Sequence, residues 1–199
     1  MTVLDAPRGL HNVVVTTTSI GDVRGDEGFY HYRQYSAIDI ALHLTFEDAW
    51  FLMVEERLPD DSERAEFLRK VAPLRILPEA VAAAVRKVAQ SGPEQPLFAL
   101  RTVLSGLAGA VPLYESSESD KRVTALRLCA MTPTILAAVH RIRTGKEPVE
   151  PREDLTTAQN WLFMITGQVP DADRARAIDR YLTATIDHGF NASTFTARV

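Results

Sequence analysis

Asp187-His188-Gly189-Phe190-Asn191-Ala192-Ser193-Thr194-Phe195-Thr196-Ala197-Arg198-Val199 is the stretch on which the reading of this chain turns. Just upstream, residues 171–187 place Ala175, Ile178, Tyr181, Leu182, Thr185 and Ile186 on one helical stripe, with Arg174, Arg176, Asp179 and Arg180 mostly away from it. The pattern predicts a core-facing helix. Gly189 offers the left-handed residue that ends such a helix, and Asn191 is a good N-cap for the next one, able to serve the amides of Ser193 or Thr194. His188 then falls in a corner between two helices, near the negative end of one dipole and the amide-rich end of the next, which suits a small carboxylate. A second reading stands beside it: an ordinary boundary histidine next to a capping asparagine.

The bulk properties bound the remainder. A chain of 199 residues, 46% apolar and 24% charged with net charge -4, has an ordinary globular composition and can bury a core. It shows no basic stripe for nucleic acid, and its apolar runs fall short of the ~20 residues of a membrane span. The opening MTVLDAPRGL carries an acid where a secretory leader needs basic and then apolar residues, so a cytoplasmic protein is expected. The single cysteine, Cys129, lies in the apolar RLCAMT and reads as a packed, inert thiol. The histidines at 11, 31, 43, 140 and 188 are scattered, so neither a metal site nor a resident cofactor is expected.

An N-terminal segment, 1–35, reads as a β-hairpin, and 36–199 as helical. Residues 11–18 are largely β-branched and GFYHYR at 28–33 alternates, with turn-rich GDVRGDEG between, so these two runs are expected to pair. The period then becomes helical. Phe46, Ala49, Trp50, Met53 and Val54 form a stripe, with Glu47, Asp48, Glu55 and Glu56 on other faces, and Pro59 closes it. Asp60 and Glu63 form a capping box for a helix burying Phe67, Leu68 and Val71, which Pro73 ends. Pro78 suits the first turn of a helix through Val81, Ala84, Val85 and Val88. The small residues Ser105, Gly106, Ala108 and Gly109 mark a helix able to pack closely, including across a dimer. A long helix from Asp120 to Arg143 should kink or split near Thr132, because Pro133 lacks an amide hydrogen. His140, Arg141 and Arg143 crowd its last turn, and the proline-rich GKEPVEPRED (145–154) reads as the most flexible connector. A further helix carries Trp161, Leu162 and Ile165 and stops at Gly167. Arg75, on a short connector between Pro73 and Pro78, either forms an interhelical ion pair or offers a bidentate grip on a carboxylate.

DHGFNASTFTARV (187–199) resembles the citrate synthase family, whose members carry an Asp/Glu-His-x-x-Asn-Ala-Ser-Thr-Phe-Thr-x-Arg-Val run. The likeness covers nearly the whole chain. GLHNVVVTTTSIGDVRGDEGFYHYRQYSAIDIA, FEDAWFLMVEERLP, LRILPE, ALRTVLSGLAG and RLCAMTPTILAAVHRIRTG all follow in the family's order. The resemblance implies a mainly all-α fold, the first part of the family's large helical domain behind a short β-hairpin. It also implies that His188 binds oxaloacetate, that Asn191 positions the corner, and that Arg75 contributes to substrate binding through its Arg-x-Leu-Pro step.

Citrate formation needs a base for the thioester methyl group, a donor for the enolate oxygen and a group that polarises the ketone. In the family an aspartate and two further histidines fill these roles, together with a Gly-rich CoA loop. None of those motifs occurs in residues 1–199, so no catalytic residue is assigned and the chain is expected to be a truncated synthase, inactive alone. With the rest of such an enzyme present, acetyl-CoA is the expected acyl partner, and propionyl-CoA if the chain is of the 2-methylcitrate synthase type. A final helix with so few residues should fray unless packed, and an apolar face should favour a homo-oligomer. Three alternatives stay open: half of a split synthase, a noncatalytic helical partner of a full-length synthase subunit, or an inert remnant.

Overall fold

The computed structural model describes residues 7–10, 13–14, 16–91, 95–107 and 115–198. Its strands are β1 (Gly21–Arg24), β2 (Phe29–Tyr32) and β3 (Tyr35–Ser36). Its helices are α1 (Ala37–His43), α2 (Phe46–Glu55), α3 (Asp61–Val71), α4 (Glu79–Ser91), α5 (Pro96–Leu107), α6 (Glu118–Arg143), α7 (Thr157–Thr166), α8 (Ala172–Ala184) and α9 (Ala192–Arg198). The fold is mainly helical with one small antiparallel sheet in the order β1-β2-β3.

The hairpin differs from expectation in its first strand. The stretch read as a turn supplies β1: Gly21 pairs with Tyr32 and Arg24 with Phe29. The described part of 11–18 lies outside any strand. Strand propensity acts only where a partner edge is available, and Gly25–Glu27 followed by left-handed Gly28 turns the chain too tightly for β2 to pair any earlier residue.

Local caps set most helix starts. Thr45 with Asp48, Asp60 with Glu63 and Thr156 with Gln159 each form a reciprocal capping box, while Ser117 and Asp171 cap α6 and α8. Three apolar clusters then join the helices. Val81, Val85, Ala99, Val103, Met131 and Ile135 pack α4, α5 and α6 together. Trp50, Phe51, Phe67, Val71 and Leu126 bind α2 and α3 to α6. Tyr32, Ile40, Ala49 and Leu52 seat the sheet on α1 and α2, and Ile186 packs against both of these last clusters.

The acids at the start of α2 are buried, contrary to their placement on the polar face. Glu47 and Asp48 are each 2% exposed, and Arg75 is 4% exposed. Glu47 accepts the Thr157 amide at the start of α7 (2.7 Å) and pairs with Arg75 (3.4 Å). The Arg75 guanidinium also donates to the Leu155 carbonyl (2.8 Å) and the Thr157 hydroxyl (3.1 Å). Asp48 accepts from Arg64 of α3 (2.5 Å), and Asp179 of α8 accepts the Phe46 amide that opens α2 (3.0 Å). Amphipathic patterns assign charge to solvent, but at a junction of several helix ends a carboxylate can satisfy amides that water would otherwise serve.

Four further expectations are corrected. On α8 the buried residues are Ala175, Asp179 and Thr183, and Tyr181 is exposed, so the inward face is rotated toward residues that bond backbone groups. α6 runs unbroken through Pro133; the Thr132 hydroxyl bonds the Leu128 carbonyl there (2.7 Å), and a helix held on several sides tolerates the missing amide bond. The 145–154 connector is tied down, Asn160 bonding the Arg152 amide (2.8 Å) and carbonyl (2.9 Å), and Glu147 bonding Arg141 and Arg86. Cys129 is exposed, since the inward residues beside it are Leu126, Ala130 and Met131.

α6 is long and apolar enough to cross a membrane by length and composition, yet it packs along α4, α5 and α7 as a core helix. On α5, Ser105 and Gly106 face open space within this chain, and Ala108 and Gly109 lie outside the described residues.

Arg75→Met strands a buried carboxylate and should cost about 3 to 5 kcal/mol, a fall in melting temperature of roughly 6 to 20 °C. Adding Glu47→Gln, which removes the charge but keeps an oxygen for the Thr157 amide, should recover most of that loss. A single variant that melts within about 2 °C of the parent would contradict this account of the ion pair.

Burial raises the Asp179 carboxyl above its usual 3.8, the Phe46 amide opposing this only in part. Its protonated form is therefore favoured in the folded state, a contribution complete below pH 3.8 and lost as pH rises through the raised value. Asp179→Asn keeps an acceptor for Phe46 but does not titrate. The urea midpoint of the parent should fall relative to this variant as pH increases through that window, and a difference that stays constant with pH would refute it.

Candidate functional site

α8 ends at Ala184, earlier than the sequence pattern suggests, and Thr185 is its C-cap. The chain then makes an irregular turn to α9. Gly189 does take a left-handed conformation (φ 80°), but within this turn, where its amide donates to the Asp187 carboxylate (3.1 Å). Asn191 caps α9 as expected: its side-chain oxygen accepts the Thr194 amide (2.8 Å).

His188 is exposed and helps to line a cavity of about 330 Å³ between the end of α8 and the start of α9. Asn191 and Thr194 line it from the α9 side, and Thr18 and Ile20, just ahead of β1, from the other. The cavity thus offers an imidazole and hydroxyl groups to a small polar ligand, with an apolar wall at Ile20 and Phe190. The sequence-predicted corner is therefore assembled for His188 and Asn191.

Arg75 is not brought to it. The guanidinium lies in the interior beside Glu47, as in the ion-pair alternative, and borders a separate cavity of about 330 Å³ with Arg69 and Glu153. Burial lowers its proton affinity, and Glu47 works against that shift. Among the described residues, no group of three or more His, Cys, Asp or Glu converges to hold a metal ion.

The sequence reading missed the role of the sheet in this corner. Tyr32 is fully buried and its hydroxyl donates to the Thr183 carbonyl in the last turn of α8 (2.7 Å). The Tyr30 hydroxyl lies 3.0 Å from that of Tyr32, 3.1 Å from the Ala184 carbonyl, and in hydrogen-bond contact with the Asp187 carbonyl. Burial, reinforced by the Tyr30 hydroxyl, pushes the Tyr32 phenol far above its ordinary range, so it remains a donor. Gly21 completes the seat. A Cβ there would stand 2.5 Å from a carboxylate oxygen of Asp187, so a larger residue at this position must push that carboxylate aside. Alternation in FYHY does put Tyr30 and Tyr32 on one face, but nothing in the run names the distant carbonyls they reach.

Comparison with known proteins gives the geometry its family. The sequence model described as "Citrate synthase, C-terminal domain" matches residues 9–199. Citrate synthase 2 of Bacillus subtilis is 35% identical over 198 residues, covering 98% of this chain and 52% of the relative. The 2-methylcitrate synthase of Mycobacterium tuberculosis is also 35% identical, over 195 residues, covering 98% of this chain and 49% of that protein. Among solved structures, citrate synthase from Pyrobaculum aerophilum superposes with a TM-score of 0.85 at 32% identity, covering all of this chain and 52% of that one. Citrate synthase from Thermotoga maritima gives a TM-score of 0.80 at 29% identity. The chain spans about half the length of the curated relatives it matches. From the family match and the shared helical architecture, the chain belongs to the citrate synthase family.

Proposed function

We propose that residues 1–199 supply the keto-acid-holding part of an enzyme that condenses acetyl-CoA with oxaloacetate to give citrate. The observation that carries this reading is the exposed His188 at the cavity between α8 and α9, in a chain of this family. An imidazole N–H directed at the ketone oxygen of oxaloacetate would polarise it toward attack, and donors fixed in advance are effective where charge develops in the transition state. The attacking carbon comes from the acyl-CoA methyl group after a base removes a proton. His188 cannot both donate to the ketone and deprotonate the thioester, so a second group must act as base. Hydrolysis of the resulting thioester then releases CoA.

Propionyl-CoA is the second acyl donor to consider, because a citrate synthase and a 2-methylcitrate synthase resemble the chain at the same 35% identity. One methylene is worth only about 1 to 3 kcal/mol of discrimination.

Residues 1–199 alone should release no CoA thiol from acetyl-CoA and oxaloacetate at an enzymatic rate, about 1 per second or faster. Oxaloacetate at millimolar concentration should nevertheless shift the His188 imidazole signals in an NMR titration, and His188→Ala should remove the binding isotherm. Thiol release at an enzymatic rate would overturn the division of labour, and binding unaffected by His188→Ala would overturn the role of the histidine.

A further inference from the structure

We infer that the Tyr30 hydroxyl, with Gly21 beside it, is a positioning device for His188, holding the turn after α8 against the N-terminal sheet. This deepens the functional reading above and rests on it for the ligand, while the geometry stands by itself.

Tyr30 and Tyr32 own one hydroxyl hydrogen each, and between them they meet the carbonyls of Thr183, Ala184 and Asp187. Tyr32 spends its hydrogen on Thr183, deep in the core and within the helix. The Tyr30 hydrogen then has three acceptors within reach, the Tyr32 hydroxyl oxygen and the carbonyls of Ala184 and Asp187, and the two carbonyls lie where α8 gives way to the turn. Asp187 adjoins His188 directly, so fixing its carbonyl restricts the backbone rotation that aims the imidazole. The carboxylate of the same residue folds back on the Gly189 amide and rests where a side chain on Gly21 would be. Asp187 is thus held at its carbonyl by β2, while its carboxylate occupies the space that Gly21 of β1 leaves open. Ile186 adds an apolar anchor one residue earlier, against both sheet-side clusters. His188 itself is exposed and lines the cavity, and its direction is inherited from these neighbours.

Two variants approach the seat from different atoms. Tyr30→Phe removes only the hydroxyl; Gly21→Ala leaves both tyrosines and displaces the Asp187 carboxylate. Each should shift or split the His188 imidazole NMR signals and speed hydrogen exchange at the Gly189 amide by about five- to tenfold, the scale of one lost hydrogen bond. The affinity for oxaloacetate should fall by a similar factor. Tyr181→Phe, at an exposed position on α8, serves as the control and should change none of these. If Tyr30→Phe does not fold, Gly21→Ala alone decides. Unchanged His188 signals and Gly189 exchange in the folded variants would overturn the positioning role, as would an equal response in Tyr181→Phe. Should the parent fail to bind oxaloacetate while its His188 signals still respond to the variants, the functional reading falls and the positioning role survives.

Discussion

The Glu47 carboxylate, shut inside the protein at the first turn of α2, is the constraint around which the other contacts are arranged. It holds the first turn of α7 through the Thr157 amide and keeps Arg75 in the interior, and Arg75 in turn holds the Leu155 carbonyl. Through these bonds α2, α7 and the segment after α3 meet at one point. Neither charge could remain there alone, because a buried ion without its partner costs several kcal/mol. The pair is therefore better understood as a device that fixes which helices meet than as a source of net stability.

The same logic recurs at the opposite helix ends. Every helix leaves its last carbonyls without internal partners, and here side chains from other elements serve several of them. Arg33 reaches Leu52 and Met53 at the end of α2, and Arg176 reaches Leu42 and Leu44 at the end of α1. Arg141 reaches Ile165 near the end of α7, while the two sheet tyrosines serve α8. A helix closed from outside has its position set as well as its length. At α8 this matters most, because the histidine follows that end by only a few residues.

What was legible in the sequence divides along the line between near and distant contacts. Asp60 with Glu63 and Asn191 before Thr194 were readable, because a capping side chain and the amide it serves lie three residues apart. Glu47, Asp48 and Asp179 were not, since their charge argued for solvent and their partners lie on other helices. The misplaced first strand has the same origin: β-branched residues state a preference, and pairing decides. Arg75 carried two readings that only its surroundings could separate. His188 was placed by resemblance and by its corner, whereas the strands that brace it left no local trace.

The contact between Tyr30 and Asp187 joins residues 157 positions apart in a chain of 199. Closing so large a loop is entropically late and slow compared with forming any single helix or the neighbouring strand pair. A newly made chain can therefore hold most of its helices while the histidine still points in no fixed direction. Only when the sheet has docked on the end of α8 does the corner exist, so a formed corner doubles as a certificate that these two distant segments have met.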